Sequence, residues 1–127
     1  MGETRTILIV DDDDGHRYTT RMMLERAGFA VQEAATARDG LELAEALPDL
    51  MIVDLHLPDL PGVEVCQRLK TSARTSGIPV LHVTAVYPGS EERAESLDAG
   101  ADGYLTRPLD PERLLATVNA ALRPRAA

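Results

Sequence analysis

Two short runs, Ile7-Leu8-Ile9-Val10 and Leu50-Met51-Ile52-Val53, contain no polar residue, and each stops on a carboxylate, Asp11 and Asp54. A strand that is apolar on both alternate faces must be covered on both, which is the environment of a parallel sheet sandwiched between helices. Each run is followed by a stretch with helical spacing. Parallel neighbours need a crossover connection, so the alternation calls for an α/β fold built from successive strand–helix units.

Three further strands complete the series. The spacing predicts strands over Thr6–Val10, Phe29–Glu33, Leu50–Val53, Ile78–Thr84 and Gly103–Thr106. The first helix is expected over Gly15–Ala27, with Thr20, Met23, Leu24 and Ala27 inward and Gly28 at its C-terminal cap. A second runs over about Arg38–Leu47, with Leu41, Ala44 and Leu47 on one face and Pro48 ending it. Pro61 suits the first turn of a third helix that buries Val65, Cys66 and Leu69. Ser90 is the expected N-cap of a Glu-rich helix reaching about Ala99, before Gly100. Asp110 and Pro111 open a last helix with Leu114, Leu115, Val118, Ala121 and Leu122 at i, i+4, i+7 and i+8 spacing, stopped by Pro124. No linker or low-complexity run divides the chain, so one domain is expected over 1–127, with its core over about 5–123.

Composition narrows the function. The 127 residues carry 21 acids against 13 Lys plus Arg, a net charge of −8, where a nucleic-acid module usually shows a basic face. Direct nucleic-acid binding is therefore not expected. No apolar run approaches the ~20 residues of a membrane span, so no membrane partner is expected either. The lone Cys66 forms no internal bridge, and the opening residues lack secretory or transit character, which places the chain in the cytoplasm.

In a parallel α/β sheet the carboxyl ends of the strands share one crevice, where ligands bind. Here those ends carry Asp11 to Asp14, Asp54, Thr84-Ala85 and Arg107-Pro108. Gathered carboxylates repel by ~4 kcal/mol per pair at 4 Å and an effective dielectric of ~20, so a cation belongs among them. All-oxygen ligands favour Mg²⁺ or Mn²⁺, which also take phosphate oxygens. Asp54 is then the candidate nucleophile for an aspartyl phosphate, with the metal and Arg107 neutralising phosphoryl oxygens and Thr84 donating a hydrogen bond. Asp13 and Asp14 read instead as helix N-terminal residues.

The pieces Ile9-Val10-Asp11-Asp12, Val53-Asp54 with Leu57-Pro58-Asp59 and Gly62, Pro79-Val80 leading to Thr84-Ala85, and Gly100-Ala101-Asp102-Gly103-Tyr104-Leu105 before Arg107-Pro108 resemble a receiver domain of a two-component response regulator. The resemblance covers nearly the whole chain. It implies a doubly wound (βα)5 fold with a five-stranded parallel sheet of order 2-1-3-4-5. It implies that Asp54 accepts a phosphoryl group from a phosphohistidine on a sensor histidine kinase or phosphotransfer protein. Asp12 and Asp54 would ligate Mg²⁺ (or Mn²⁺) directly, Asp11 through water, and His56 through its backbone carbonyl. Thr84 and Tyr104 would form a switch pair that reshapes the face of the fourth helix, fifth strand and fifth helix. His56 and Val86 match positions that adjust phosphoryl lifetime, and the bond before Pro108 would be cis. An effector or kinase domain in a longer parent chain and a weak homodimer are compatible with the resemblance.

The departure is Arg107, where the family usually has Lys. Arginine here is similar to a subset of receivers attached to hybrid histidine kinases, and it alters the geometry of the cation more than its charge. Two other readings compete: a degenerate receiver acting only as a docking domain, and a haloacid-dehalogenase-like phosphatase suggested by Asp12-Asp13-Asp14-Gly15, which leaves Asp54 without a role. A calcium loop ending its turn at Gly15 fails on spacing, since it would need an acid at Val10.

Overall fold

The structure, a computed structural model, describes residues 4–84 and 90–122, the side chains of 90–92 excepted. The elements run β1 (Thr6–Val10), α1 (Asp14–Arg26), β2 (Ala30–Ala34), α2 (Ala37–Ala44), β3 (Leu50–Asp54), α3 (Gly62–Thr71), β4 (Val80–Thr84), α4 (Ser90–Asp98), β5 (Gly103–Thr106) and α5 (Pro111–Leu122). All strands pair in parallel, in the order β2-β1-β3-β4-β5. The expected class, strand count and order are all present. Among the described residues no helix is long and apolar enough to cross a membrane.

Strand alternation divides the interior in two. Leu8, Val10, Met51, Val53 and Val80 face α2 and α3 with Val65, Cys66 and Leu69, and Ala99 joins them from just past α4. Ile7, Ile9, Leu50, Ile52, Leu81, Val83 and Leu105 face α1 and α5 through Leu24, Leu114 and Val118. Cys66 is buried as a small core residue, its thiol pushed up to about 11 by burial, so it is inert at neutral pH.

The boundaries differ from the sequence reading for local reasons. In α1 the Asp13 carboxylate caps the helix by accepting the His16 N–H at 2.8 Å, which brings Asp14 into the first turn. The expected Gly28 cap is present, with φ +97°. The N–H groups of Gly28 and Phe29 return to the carbonyls of Glu25 and Leu24, a Schellman ending. Phe29 is thereby consumed and β2 starts one residue later. Ala27 is exposed rather than inward.

Leu47 leaves the expected face of α2. The N–H groups of Glu45, Ala46 and Leu47 bond three residues back, the last turn tightens, and Leu47 adopts φ +59° ahead of Pro48 with 46% of its surface exposed. Pro61 caps α3 from outside, with extended ψ, instead of entering its first turn. β4 begins at Val80 because the Ile78 amide closes a turn onto Thr75 and Pro79 has no N–H. α5 begins at the expected Pro111, and α4 begins at Ser90 itself, the residue expected as its N-cap. The capping role of Ser90, the stop at Pro124, and residues Ala85 and Val86 lie outside the described residues or side chains.

Gly62 sets how closely α3 approaches β3. A Cβ there would lie 2.3 Å from the Asp54 carbonyl oxygen and 2.8 Å from Leu55 Cα, both backbone atoms. Gly62→Ala is therefore expected to lower stability by about 2–3 kcal/mol, at the upper end of overpacking, because backbone cannot rotate aside. Urea unfolding checks this, and an unchanged midpoint would show that the β3–α3 loop yields freely.

Candidate phosphoacceptor site

The site is assembled at the carboxyl ends of β1, β3, β4 and β5. Asp11 follows β1, is 1% exposed, and has both carboxylate oxygens engaged. Oδ1 accepts the Asp13 N–H at 2.9 Å, and Oδ2 meets Nη2 of Arg107, which follows β5. Burial raises the Asp11 pKa and the Asp54 charge adds to this, against the lowering effects of the Asp13 amide and the Arg107 charge. Asp12 is exposed at the rim. Asp54 ends β3 with its side chain 13% exposed; Oδ1 accepts the His56 N–H at 2.7 Å, and Oδ2 is 3.9 Å from Arg107 Nη1. Ligand oxygens of Asp11, Asp12 and Asp54 all lie within 4.8 Å of one another. Three carboxylates converge against one guanidinium, a donor set that fits a hard divalent cation.

Arg107 is only 10% exposed, and its buried Nη1 has no hydrogen-bond partner. That donor points toward Asp54 at a range too long for a hydrogen bond and suited to an additional oxygen anion between the two. The Arg107–Pro108 peptide is cis, as the resemblance implies.

Thr84 ends β4 fully buried, one residue beyond the Asp54–Val83 pairing, and its carbonyl accepts the Arg107 N–H at 2.8 Å. β4 thus ties the residue bearing the hydroxyl and the cation together. Tyr104 pairs with His82 one strand away, half-buried, with the Arg93 guanidinium 5.6 Å over its ring. His56 joins through its backbone, and its residue is exposed.

Arg17, which chain patterning did not single out, and Asp59, which it quoted only as part of a motif, support this arrangement. Arg17, in the first turns of α1, donates to the Asp11 carbonyl at 2.7 Å, pairs with Glu33 at 3.1 Å, and contacts Asp14, bracing the acidic loop from below. A cation so near a helix N-terminus opposes the dipole, and that is the one signal the sequence offered. Asp59 reaches from the β3–α3 loop to the start of α2, accepting the N–H groups of Ala37 and Arg38 at 2.9 and 3.0 Å. Those two amides hold its pKa below the usual carboxylate range.

Residues 7–119 match the family described as the response regulator receiver domain. This chain is a member of that family. It is similar to the DNA-binding dual master transcriptional regulator RpaA of Synechocystis, 46% identical over 118 residues, covering 92% of this chain and 48% of that protein. A CheY-like response regulator receiver domain from Methanospirillum hungatei superposes with a TM-score of 0.86 at 36% identity, over 94% of each chain. The receiver domain of a signal transduction histidine kinase from Syntrophus aciditrophicus superposes with a TM-score of 0.85 at 26% identity, over 98% of this chain and 97% of the other. The receiver spans about half the length of the curated relative. The two solved receiver domains share the fold seen here.

Proposed function

We propose that this receiver accepts a phosphoryl group on Asp54 and relays it as a conformational signal. The observation that carries the reading is the buried Arg107, fixed on Asp11 with a free donor toward Asp54, inside a ring of three converging carboxylates. An Asp54 carboxylate oxygen attacks phosphorus, the P–N bond of a phosphohistidine breaks, and the electron pair leaves on the imidazole nitrogen, which is then protonated. Asp12, Asp54 and the His56 backbone carbonyl, with Asp11 through water, would hold Mg²⁺ or Mn²⁺, which when bound would supply charge neutralisation for the phosphoryl oxygens.

The His56 amide orients the nucleophile. Arg107 Nη1 takes a phosphoryl oxygen, and the Thr84 hydroxyl takes another as Tyr104 turns inward. The product is a labile acyl phosphate on the domain itself, so the chain acts as a signalling acceptor rather than a turnover enzyme. The donor class is a sensor histidine kinase or phosphotransfer protein in the cytoplasm. Relatives that are a transcription regulator and a kinase receiver support an effector or kinase domain as the recipient of the signal. The net charge of −8 argues that the receiver segment does not itself hold nucleic acid.

Incubation with a small phosphodonor and Mg²⁺, followed by intact-mass spectrometry, tests the reading: one labile phosphoryl increment is expected. Continuous turnover of donor would favour the phosphatase reading, and no increment would favour a docking domain. Asp12→Ala is expected to abolish both the metal response and phosphorylation, and EDTA should do the same to the unaltered chain. Undiminished phosphorylation in EDTA would remove the metal from the mechanism.

A further inference from the structure

Away from the acid cluster, the core holds a buried imidazole. His82, in the middle of β4 and fully buried, lies on the same strand face as Val80 and Thr84. Its Nε2 is 3.0 Å from the Gly62 carbonyl oxygen and its Nδ1 is 2.6 Å from the Ser96 hydroxyl. A carbonyl only accepts, so Nε2 carries the proton. Burial pushes the imidazole pKa down and keeps the ring neutral, so Nδ1 accepts from the Ser96 hydroxyl.

Both ends of this three-member chain have little slack. Gly62 donates its N–H to the Leu55 carbonyl at 3.0 Å and leaves no room for a Cβ against the Asp54–Leu55 backbone. Ser96 is the one buried residue among 93–98, the part of α4 whose side chains are described, and Leu97 beside it is exposed. Within those residues α4 meets the core through a hydroxyl instead of an apolar stripe, with the Arg93–Tyr104 contact as a second polar tie to β5. A helix held by directional bonds has a defined seat, and within 93–98 no buried apolar side chain adds to it.

We infer that His82 is a positioning residue that seats α4 through Ser96 and carries displacement of the Asp54–Leu55 backbone to α4 through Gly62. The route runs beneath the sheet's catalytic edge and does not pass through the side chains of Thr84 or Tyr104. The seating of α4 stands on the geometry alone, while its response to phosphoryl chemistry rests on the Asp54 reading.

Amide exchange by mass spectrometry on the full chain, with Ser96→Ala, Ser96→Thr and His82→Leu, tests both halves. In the unphosphorylated state Ser96→Ala and His82→Leu are expected to speed exchange over 93–99 on the order of tenfold, with α1 and α5 unchanged, because one local tie is lost. Ser96→Thr, which keeps the hydroxyl, should restore slow exchange. Unaltered α4 exchange in both tie-breaking variants, or a rise shared by every element, would overturn the seating role.

With beryllofluoride and Mg²⁺ as the phosphoryl mimic, the α4 response of the unaltered chain is expected to fall by about half or more in Ser96→Ala. Asp54 phosphorylation by a small donor should persist in that variant. A full α4 response in Ser96→Ala would overturn the relay. Absence of any mimic response or phosphoryl increment in the unaltered chain would overturn the Asp54 reading and the relay with it, leaving the seating result to stand by itself.

Discussion

Asp54→Asn should return an unshifted intact mass under conditions that label the unaltered chain completely. The alternatives to Asp54 are unequal to the task. Asp11 has one oxygen committed to the Asp13 amide and the other to Arg107, and Asp12 is an exposed rim group. Asp54 has one oxygen held by a neighbouring amide, while its other oxygen faces Arg107 from 3.9 Å, beyond hydrogen-bond range, where Asp11 is in direct contact. The same substitution removes one of three mutually repelling charges, since the Asp54 charge helps to raise the Asp11 pKa. The variant should therefore be more stable than the parent, read as a raised midpoint of thermal unfolding. Loss of labelling together with gained stability separates removal of a nucleophile from misfolding. A full increment in Asp54→Asn would move the acceptor to another residue.

The second large effect concerns Arg107. Arg107→Ala leaves the Asp11 carboxylate buried without its counter-ion, a loss of about 3 kcal/mol for a broken buried pair. The sign of its pH dependence follows from Asp11. Burial already raises that pKa, and losing Arg107, which lowers it, raises it further. A group with a raised folded-state pKa favours the fold below its unfolded pKa and loses that contribution as pH rises through the folded value. The Ala variant's deficit should therefore be largest at neutral pH and shrink on acidification, and added Mg²⁺ should recover part of it. Some Asp54 phosphorylation should survive while most of the conformational response is lost.

Arg107→Lys keeps the charge but cannot span Asp11 and Asp54 with two nitrogens of one plane. It should remain phosphorylatable with an altered phosphoryl lifetime. Time-resolved intact mass with amide exchange on α4 checks both variants. Equal lifetimes and equal exchange for Arg, Lys and Ala at 107 would show that the guanidinium has no part in the switch.

What the chain discloses before folding is uneven for physical reasons. Ile7–Val10 and Leu50–Val53 announce themselves because two-sided burial forbids polar residues, and the acids that end them fall by topology into one crevice. The meeting of Asp11, Asp12, Asp54 and Arg107 was legible on that basis, while the order of strands came from the resemblance to receiver domains alone. Leu47 was not, because a tightened last turn overrides helical spacing and the residue before Pro48 turns outward. Asp59 and Arg17 act on backbone groups of other elements, Asp59 on amides 21 and 22 residues away, and no local pattern records such a partner. His82 reads as a polar blemish in an apolar strand, and Ser96 as one more hydrophilic residue in a Glu-rich helix. Only their meeting gives either a purpose.

The alternation within β4 has a consequence for anyone recombining this receiver with others. Val80, His82 and Thr84 serve one layer, while Leu81 and Val83 serve the opposite one. Inserting or deleting a single residue inside the strand would exchange these roles, driving an imidazole into the aliphatic layer beneath α5 and moving the threonine to the opposite face. Splice points for chimaeras therefore belong in the turn before the strand. There Gly77 has no heavy atom within 4 Å of where a Cβ would stand, and added length would be absorbed without disturbing the frame of the pleat.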